Sequence, residues 1–379
     1  MKKVAIIIPQ FDESRFDGAG IHARLIINQL KTFTDVTVIS TTNFCTKEKT
    51  EEENYRVIFF PAQKPKKKYN FNRMTHELFQ NKNHPISKEK VWLKQFGSYS
   101  KPLITYLKKK LNIYDIFFFF GYSNALTYFG LPIVKTKAIM VPLTHKEPLL
   151  EFKIFDKIFS TPLMVLPNSL SEKEIIKKRF SLLSPLFIMG THINLPRIIK
   201  KVSKEIKKPY CIYFGRISRM KGVFELIEYF IYYQKNNFND LKLVLVGKNS
   251  DFISLPKSPH IIYKNCSFGD EKYNLLANSA FLINPSYYES LSLVLLEAWG
   301  FKKPVLVNGK CDVLKSQTIQ ANAGLYYDNY EEFEAMTNWL LSHPEECSIF
   351  GKNGYKWINE NYSSTIIKKK LRILFESLN

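Results

Sequence analysis

The feature that most constrains this chain is a repeated alternation between short apolar, β-prone runs and segments with helical spacing. Tyr210–Gly215 is one such run, and the helical pattern Val223–Gln234 follows it. Lys3–Pro9 and Ile21–Phe33 repeat this arrangement near the start of the chain. Strands that alternate with helices predict parallel sheets with helices on both faces. A length of 379 residues fits two such domains, each large enough to bury its own core.

Further segments continue the alternation through both halves of the chain. The other predicted strands are Val36–Ser40, Asp115–Phe120, Ala138–Pro142, Leu163–Pro167, Leu241–Gly247, His260–Tyr263, Ala280–Asn284 and Pro304–Asn308. The predicted closing helices are Glu331–Ser342, Pro344–Tyr362 and Ser363–Leu378. The polar region Thr41–Lys90 has no clear period, and the lysine-rich segment Arg197–Lys208 is a candidate linker. We therefore expect domains at residues 1–195 and 196–362.

The segment Asn284–Gly300, which reads NPSYYESLSLVLLEAWG, carries two glutamates. The pattern of strand, loop and helix places Glu289 on the loop at the carboxyl end of a strand and Glu297 within the helix. Ligands of open α/β sheets bind at that end, where the first amides of a helix attract anions. A single glutamate is more often a solvated surface residue, but Glu297 has apolar neighbours, and a buried acid needs a partner.

Arg216 and Lys221 lie on the predicted loop between Tyr210–Gly215 and Val223–Gln234. Two cations on one strand-to-helix loop can neutralise a diphosphate leaving group, and arginine presents a planar fork to phosphate oxygens. Solvated loop cations are the alternative, and the acid pair in the same domain favours the ligand-binding interpretation. The chain contains no Asp-x-Asp triplet, so we expect no metal ion, with the two cations in its place.

Two strand ends in the first half carry further candidates. Gly18 and Gly20 follow the first strand and precede a helix, so their amides form a possible anion cradle, although a plain tight turn has the same composition. His145 follows Ala138–Pro142 on a loop at the presumed ligand-binding edge. A structural role for this histidine is the alternative.

These motifs resemble those of the retaining, nucleotide-sugar-dependent glycosyltransferases with the GT-B fold, often called family 4. The matching positions are Glu289, Glu297-Ala298, Lys303-Pro304-Val305 and Gly215-Arg216 with Lys221-Gly222. That family often has Gly-Phe-Gly after the first glutamate, whereas this chain has Ser290-Leu291-Ser292. The resemblance implies two Rossmann-like domains with parallel sheets facing across a central cleft. It also implies that the helix at 363–379 packs on the first domain and that Phe187–Leu195 ends that domain with a strand and turn.

The resemblance further implies catalytic roles. Arg216 and Lys221 would stabilise the departing diphosphate, and Glu289 would hold hydroxyls of the donor sugar together with His145. The start of the helix after Glu289 would present its amides to the phosphate through residues Ser292, Leu293 and Val294.

The remaining implied contacts also concern the donor. Glu297 would bind the ribose hydroxyls, and Gly18 and Gly20 would bring backbone amides to the phosphates. The expected reaction is metal-independent transfer of a hexose-type sugar from a UDP or GDP sugar to a glycan or lipid-linked acceptor, with retention, in cell-surface polysaccharide biosynthesis. The donor is a co-substrate, so no cofactor is expected. The alternatives are a non-catalytic nucleotide-, glycan- or membrane-binding protein of the same fold, or a sugar-nucleotide epimerase or phosphorylase.

The net charge of +21 is concentrated in the first half of the chain. Its densest clusters are Lys64–Lys68 and Lys108–Lys110, the latter on a predicted amphipathic helix with Leu103 and Leu107. Such a surface attracts anionic lipid headgroups, while solvated lysines from a general composition bias are the alternative. Nucleic acid is not expected as a partner, because no recognisable binding motif accompanies the charge.

Three observations bear on the cellular compartment. The five cysteines are scattered and form no C-x-x-C pair, which is typical of a reducing cytosol. The first apolar run is too short for a signal peptide and is better explained as a strand. Ile116–Val134 contains no charged residue, but its glycines and Pro132 predict a strand, a turn and a short helix rather than a membrane span. We expect a cytoplasmic protein, and its basic surface allows a peripheral position on the inner face of the membrane.

Overall fold

The computed structural model describes residues 1–11, 18–42, 47–52, 55–63, 68–81, 83–96, 98–181, 183–196, 206, 209–252, 254–265 and 269–378. The chain divides into two compact units. The first unit comprises Met1–His192 and Ile367–Asn379, and the second comprises Ile193–Ile366. The candidate linker Arg197–Lys208 and the cluster Lys64–Lys68 fall almost entirely outside the described residues.

The first unit contains a seven-stranded sheet with the order β3-β4-β2-β1-β5-β6-β7. Its strands are β1 (Lys3–Ile8), β2 (Asp35–Thr42), β3 (Lys47–Glu52), β4 (Tyr55–Pro61), β5 (Ile116–Phe120), β6 (Ala138–Val141) and β7 (Met164–Val165). The strand pairs are parallel, as predicted, except at one edge, where β3 pairs with β4 in the antiparallel sense. Only two residues separate these strands, and a connection that short joins antiparallel neighbours.

Helices cover both faces of this sheet. They are α1 (Gly18–Leu30), α2 (Lys68–Gln80), α3 (Ile86–Phe96), α4 (Lys101–Lys110), α5 (Ala125–Gly130), α6 (Leu170–Arg179) and α13 (Ser364–Glu376). Alternate residues of β1 enter two separate cores: Val4 and Ile6 join one, and Ala5 joins the other. In α13, Ile367 and Leu371 lie one turn apart and are buried in the same core as Val4. This helix, distant in sequence, therefore completes the core of the first unit.

The second unit contains a wholly parallel six-stranded sheet with the order β10-β9-β8-β11-β12-β13. Its strands are β8 (Tyr210–Phe214), β9 (Lys242–Val246), β10 (Ile261–Lys264), β11 (Phe281–Asn284), β12 (Val305–Asn308) and β13 (Gly324–Tyr327). Its helices are α7 (Val223–Asn236), α8 (Asp270–Asn278), α9 (Leu293–Gly300), α10 (Asp312–Ala321), α11 (Tyr330–Ser342) and α12 (Pro344–Asn361). This is the 3-2-1-4-5-6 order of a dinucleotide-binding sheet.

Two local predictions require correction. Helix α1 begins at Gly18, so the two glycines form its first turn instead of a turn before it. Phe187–Leu195 forms no strand, although Leu186 makes an isolated bridge to Val165 and the Phe187 N–H donates to the Val165 carbonyl. The segment Ile116–Val134 folds as β5, α5 and a 3-10 turn, as predicted. No described helix combines the length and apolarity needed to cross a bilayer.

Candidate active site

The strand order of the second unit reverses between β8 and β11, which are parallel neighbours. The loops that follow these two strands therefore meet at one edge of the sheet, at the point where ligands of such sheets bind. Gly222 ends the first loop with φ +69°, and a Cβ atom there would lie 2.1 Å from the Pro285 carbonyl oxygen of the second loop. Only glycine permits this close approach. The contact brings the predicted cations and the first predicted acid to the same place.

Lys221 and Glu289 form an ion pair across these loops, with 2.7 Å between Nζ and Oε1. The side chains are 27% and 15% exposed, so the pair is accessible from solvent. Sequence reasoning assigns the lysine to a diphosphate and the glutamate to sugar hydroxyls as separate groups. The structure brings them into direct contact, and an ammonium group with three donors can keep this bond while it binds a second anion.

Arg216 lies at the start of the same loop with an exposed side chain. The Tyr213 hydroxyl donates to the Arg216 carbonyl at 2.7 Å, which fixes the backbone. Among the described residues, no carboxylate forms an ion pair with its guanidinium. The Arg219 N–H donates to Asp251 at 2.8 Å, so the loop is anchored further along as well. A held backbone with a solvent-facing guanidinium is suited to binding an incoming anion.

Helix α9 begins beside this pair. Its N-cap, Ser292, makes no side-chain cap bond; its hydroxyl instead accepts from the Asn284 amide at 3.0 Å. The Ser292 N–H donates to Gln317 at 3.0 Å. The first-turn amides, beginning at Leu293 and Val294, thus have no side-chain cap and lie at the positive end of the helix dipole. Sequence reasoning missed Asn284 and Gln317 because single amides carry no spacing signal.

Glu297 lies on α9 and pairs with Lys272 of α8. The Lys272 Nζ lies 2.7 Å from both carboxylate oxygens, and the side chains are only 9% and 13% exposed. The expectation that a buried Glu297 needs a partner is met by this residue, which no motif predicted. Lys272 is the third residue of α8, after Asp270 and Glu271. A lysine in such a charged stretch is ordinarily expected on the surface.

In the first unit, Gly18 and Gly20 lie in the first turn of α1, and a Cβ atom at Gly18 would meet no described, non-neighbouring residue within 4 Å. One turn after Gly18 is His22, which sequence reasoning missed. His22 is buried edge-on to Phe120, and its Nε2 has no hydrogen-bond partner among the described residues. Burial lowers the pKa of His22 to about 4, although a hydrogen bond with the Gly190 backbone acts to raise it. The ring is therefore neutral at pH 7.

His145 follows β6 on a loop held by a buried glutamate. Glu172 accepts from the Thr144 N–H, from the Asn168 N–H at 2.6 Å and from the Asn168 side-chain amide at 2.9 Å. Burial raises the pKa of Glu172 to about 8, although these hydrogen bonds act to lower it. His145 is half-buried, and its Nδ1 has no partner within the described part of the chain.

The predicted residues thus divide between the units. Arg216, Lys221, Glu289 and the α9 start come together at the sheet edge of the second unit, with Glu297 one turn along the helix. Gly18, Gly20 and His145 belong to the first unit. Within the described ranges, no group of three histidine, cysteine or acidic side chains is arranged to hold a metal ion.

Residues 196–357, which make up nearly all of the second unit, match the protein family described as glycosyl transferases group 1. The second unit is therefore a glycosyl transferases group 1 domain, and the family resemblance inferred from the motifs is confirmed.

Sequence relatives and a solved structure agree with this result. The chain is 25% identical over 179 residues to the capsular polysaccharide biosynthesis glycosyltransferase CapM of Staphylococcus aureus, covering 44% of this chain and 45% of CapM. It is 28% identical over 163 residues to TuaC of Bacillus subtilis, a putative teichuronic acid biosynthesis glycosyltransferase, covering 41% of each. The matches thus span less than half the length of either relative. HepE of Anabaena, solved with UDP-glucose, superposes over 100% of both chains with a TM-score of 0.71 at 13% identity. The chain has the GT-B fold.

Proposed function

We propose that the protein is a retaining glycosyltransferase that moves a hexose-type sugar from a UDP or GDP sugar to a glycan or lipid-linked saccharide. The observation that carries this proposal is the meeting of Arg216, the Lys221–Glu289 pair and the uncapped start of α9 at the switch point of a group 1 domain. The names of CapM and TuaC favour cell-surface polysaccharide biosynthesis, and the UDP-glucose complex of HepE favours a UDP sugar.

In the proposed reaction the bond between the anomeric carbon and the diphosphate oxygen breaks, and its electron pair leaves with the diphosphate. Arg216, Lys221 and the α9 amides stabilise this charge as it develops, without a metal ion. The acceptor oxygen then forms its bond on the face from which the diphosphate leaves. Its proton passes to a departing phosphate oxygen, so the anomeric configuration is retained.

The other side chains are assigned to binding. Glu289 holds donor-sugar hydroxyls from its position beside Lys221, and Glu297 holds the ribose hydroxyls. His145 remains a candidate for a donor-sugar contact, supported by its ring Nδ1, which has no partner among the residues that the structure describes. Gly20 and Gly18 remain candidates for phosphate contacts through the amides of the first turn of α1.

Substitution of the two cations tests the proposed chemistry. Arg216→Ala and Lys221→Ala should each lower sugar transfer by about 100-fold or more, the scale for a lost charge-stabilising group. Arg219→Ala is the matched control, because Arg219 is an exposed cation on the same loop whose side chain stacks on Phe224 at 4.4 Å. Wild-type turnover in the Arg216 and Lys221 variants contradicts the proposal.

A donor panel separates this function from its alternatives. Hydrolysis and transfer are measured for UDP and GDP sugars with and without glycan acceptors, and with a chelator present. Transfer that persists with the chelator supports the metal-independent mechanism. Thermal stabilisation by UDP or GDP without any turnover would instead identify a binding protein.

The basic surface of the first unit supports a proposed peripheral position on the cytoplasmic face of a membrane. Lys108, Lys109 and Lys110 are exposed at the end of α4, whose Leu103 and Leu107 are buried. Anionic headgroups contribute about 1 kcal/mol per basic residue close to the surface. Sedimentation with phosphatidylglycerol vesicles, compared with phosphatidylcholine vesicles, tests this; equal binding by a triple glutamate variant of these lysines argues against it.

A further inference from the structure

Lys272 is a lysine that the proposed reaction does not use. It lies on α8, is 7% exposed, and its Nζ is 5.4 Å from the Phe214 ring centroid and 5.3 Å from the Tyr273 ring centroid. Its hydrogen-bonding partner is the Glu297 carboxylate, which it reaches through both oxygens. An ammonium group between two aromatic faces and one carboxylate has little freedom to move.

Stability alone does not account for this pair. Removing two charges from water costs several kcal/mol per ion, and apolar replacements of such pairs are often neutral or stabilising. The geometry suggests another role. A carboxylate offers about four lone-pair sites on its two oxygens, and Lys272 occupies one on each. Among the described residues, no other hydrogen bond to this carboxylate is formed, and both of its oxygens are fixed in direction by Lys272.

The helix that carries Glu297 is itself fixed. The indole N–H of Trp299 donates to the Ala323 carbonyl at 3.0 Å, and Gly354 of α12 packs directly on the Trp299 ring. The orientation of the Glu297 carboxylate therefore depends mainly on its own side-chain torsions, which Lys272 restricts. By contrast, the Lys221 ammonium donates to Oε1 of Glu289 in a more exposed pair.

We propose that Lys272 is a positioning residue for ribose recognition. It holds both carboxylate oxygens of Glu297 where they accept the two adjacent hydroxyls of a nucleotide ribose. This inference rests on the proposed function, in which Glu297 binds the ribose. A vicinal diol presents two O–H donors at a fixed spacing, so an acceptor pair that is already oriented loses less entropy on binding.

The experiment compares a ribonucleotide with its deoxy analogue in intact protein. Affinities for UDP and 2′-deoxy-UDP, and for GDP and 2′-deoxy-GDP, are measured by calorimetry for wild type, Lys272→Met, Glu297→Gln and the double variant. Methionine keeps an unbranched stem between the two rings. Lys315→Met is the matched control, because Lys315 also pairs with an acid, Asp328 at 3.7 Å, and lies over the Tyr326 ring.

We expect wild type to prefer the ribonucleotide by at least about tenfold, the scale of one hydrogen bond to a charged group. Lys272→Met should remove most of this preference and change deoxynucleotide affinity little. In the Glu297→Gln background, Lys272→Met should have no further effect, and Lys315→Met should leave the preference intact.

Two other outcomes overturn the inference in distinguishable ways. If Lys272→Met weakens both nucleotides equally, or still acts in the Glu297→Gln background, Lys272 only joins α8 to α9 and the proposed function stands. If wild type shows no preference for ribose, or binds neither nucleotide, the assignment of Glu297 in the proposed function fails, and the role of Lys272 fails with it.

Discussion

The carboxyl edges of the two sheets hold their acidic side chains in opposite ways. In the first unit, Glu172 is fully buried and is held by backbone and side-chain amides at the ends of β6 and β7. In the second unit, Glu289 and Glu297 are partly accessible, and each is paired with a lysine. The first arrangement uses an acid to organise loops, whereas the second keeps charged groups of both signs where a ligand can reach them.

The difference changes the electrostatics of each edge. Neutral amides leave burial as the dominant effect on Glu172, so its pKa rises to about 8. In the second unit, each acid instead has a direct charge–charge contact with a lysine, which a neutral amide cannot supply. The carboxylate that organises loops and the carboxylates proposed to bind a ligand therefore differ in their partners, which are amides in the first case and lysines in the second.

The glycines at the first strand-to-helix turn of each unit differ in a parallel way. Gly222 has a left-handed backbone conformation against the Pro285 carbonyl, so the protein itself requires glycine there. Gly18 has ordinary helical geometry, and among the described residues no atom of a non-neighbouring residue lies within 4 Å of its missing Cβ. The packing of the described part of the first unit therefore gives no reason for glycine at position 18.

The largest effect is expected from Glu172→Ala. The substitution leaves two buried backbone amides and the Asn168 side chain without an acceptor, at about 1–3 kcal/mol each, so we expect a loss of about 4 kcal/mol in first-unit stability. Hydrogen exchange of peptides containing Thr144 and Asn168 measures it. Glu174→Ala on the same helix is the control, because that side chain is 49% exposed. Equal protection in the two variants would contradict the organising role of Glu172.

Gly222→Ala should cost the second unit about 3 kcal/mol, from a left-handed alanine and a clash with backbone. Gly222→Asn separates these causes, because asparagine tolerates the left-handed region but also carries a Cβ atom. We expect it to be as damaging as alanine in denaturant unfolding followed by exchange of second-unit peptides. Recovery of stability with asparagine would show that backbone conformation, and not the Pro285 contact, sets the requirement.

The pKa of Glu172 predicts a pH effect of intermediate size. Its folded value of about 8 exceeds the ordinary 4.5, so its stabilising contribution is complete below pH 4.5 and is lost as pH rises through 8. His22 acts in the opposite sense, but only below pH 6.5, since its folded pKa is about 4. Between pH 6.5 and 8 we therefore expect first-unit stability to fall by roughly 1.5 kcal/mol. Glu172→Gln should flatten this slope, and an unchanged slope in that variant would refute the assignment.

The smallest effect is expected from Gly18→Ala. Alanine in the first helical turn should raise first-unit stability by about 0.5 kcal/mol, since no atom of the described, non-neighbouring residues obstructs the new methyl group. If the Gly18 amide lies close to donor phosphate, UDP affinity should fall in the same variant. Unchanged UDP affinity removes Gly18 from the donor-binding candidates.

Much of the architecture could be predicted, because buried parallel strands are short apolar runs. β5 and β8 were visible in this way, but β13 was not, since its four residues include two tyrosines and a glycine. The antiparallel strand β3 lies in the polar region Thr41–Lys90 and consists of charged residues and a threonine. It therefore shows no alternation of apolar and polar residues from which a strand could be predicted. Helix α1 begins three residues earlier than predicted because glycine, a poor helix former, is tolerated in the first turn.

The sequence by itself determined the alternation of strands and helices, the family of the second unit and the charged residues of its two motifs. Those properties depend on local spacing, which a linear pattern records. Only the tertiary structure decided the partners: Lys221 with Glu289, Lys272 with Glu297, and Glu172 with the amides of two loops. Each pairing joins segments that strand order brings to one sheet edge, and backbone amides are present at almost every residue, so no sequence pattern can mark the ones that a buried acid will use.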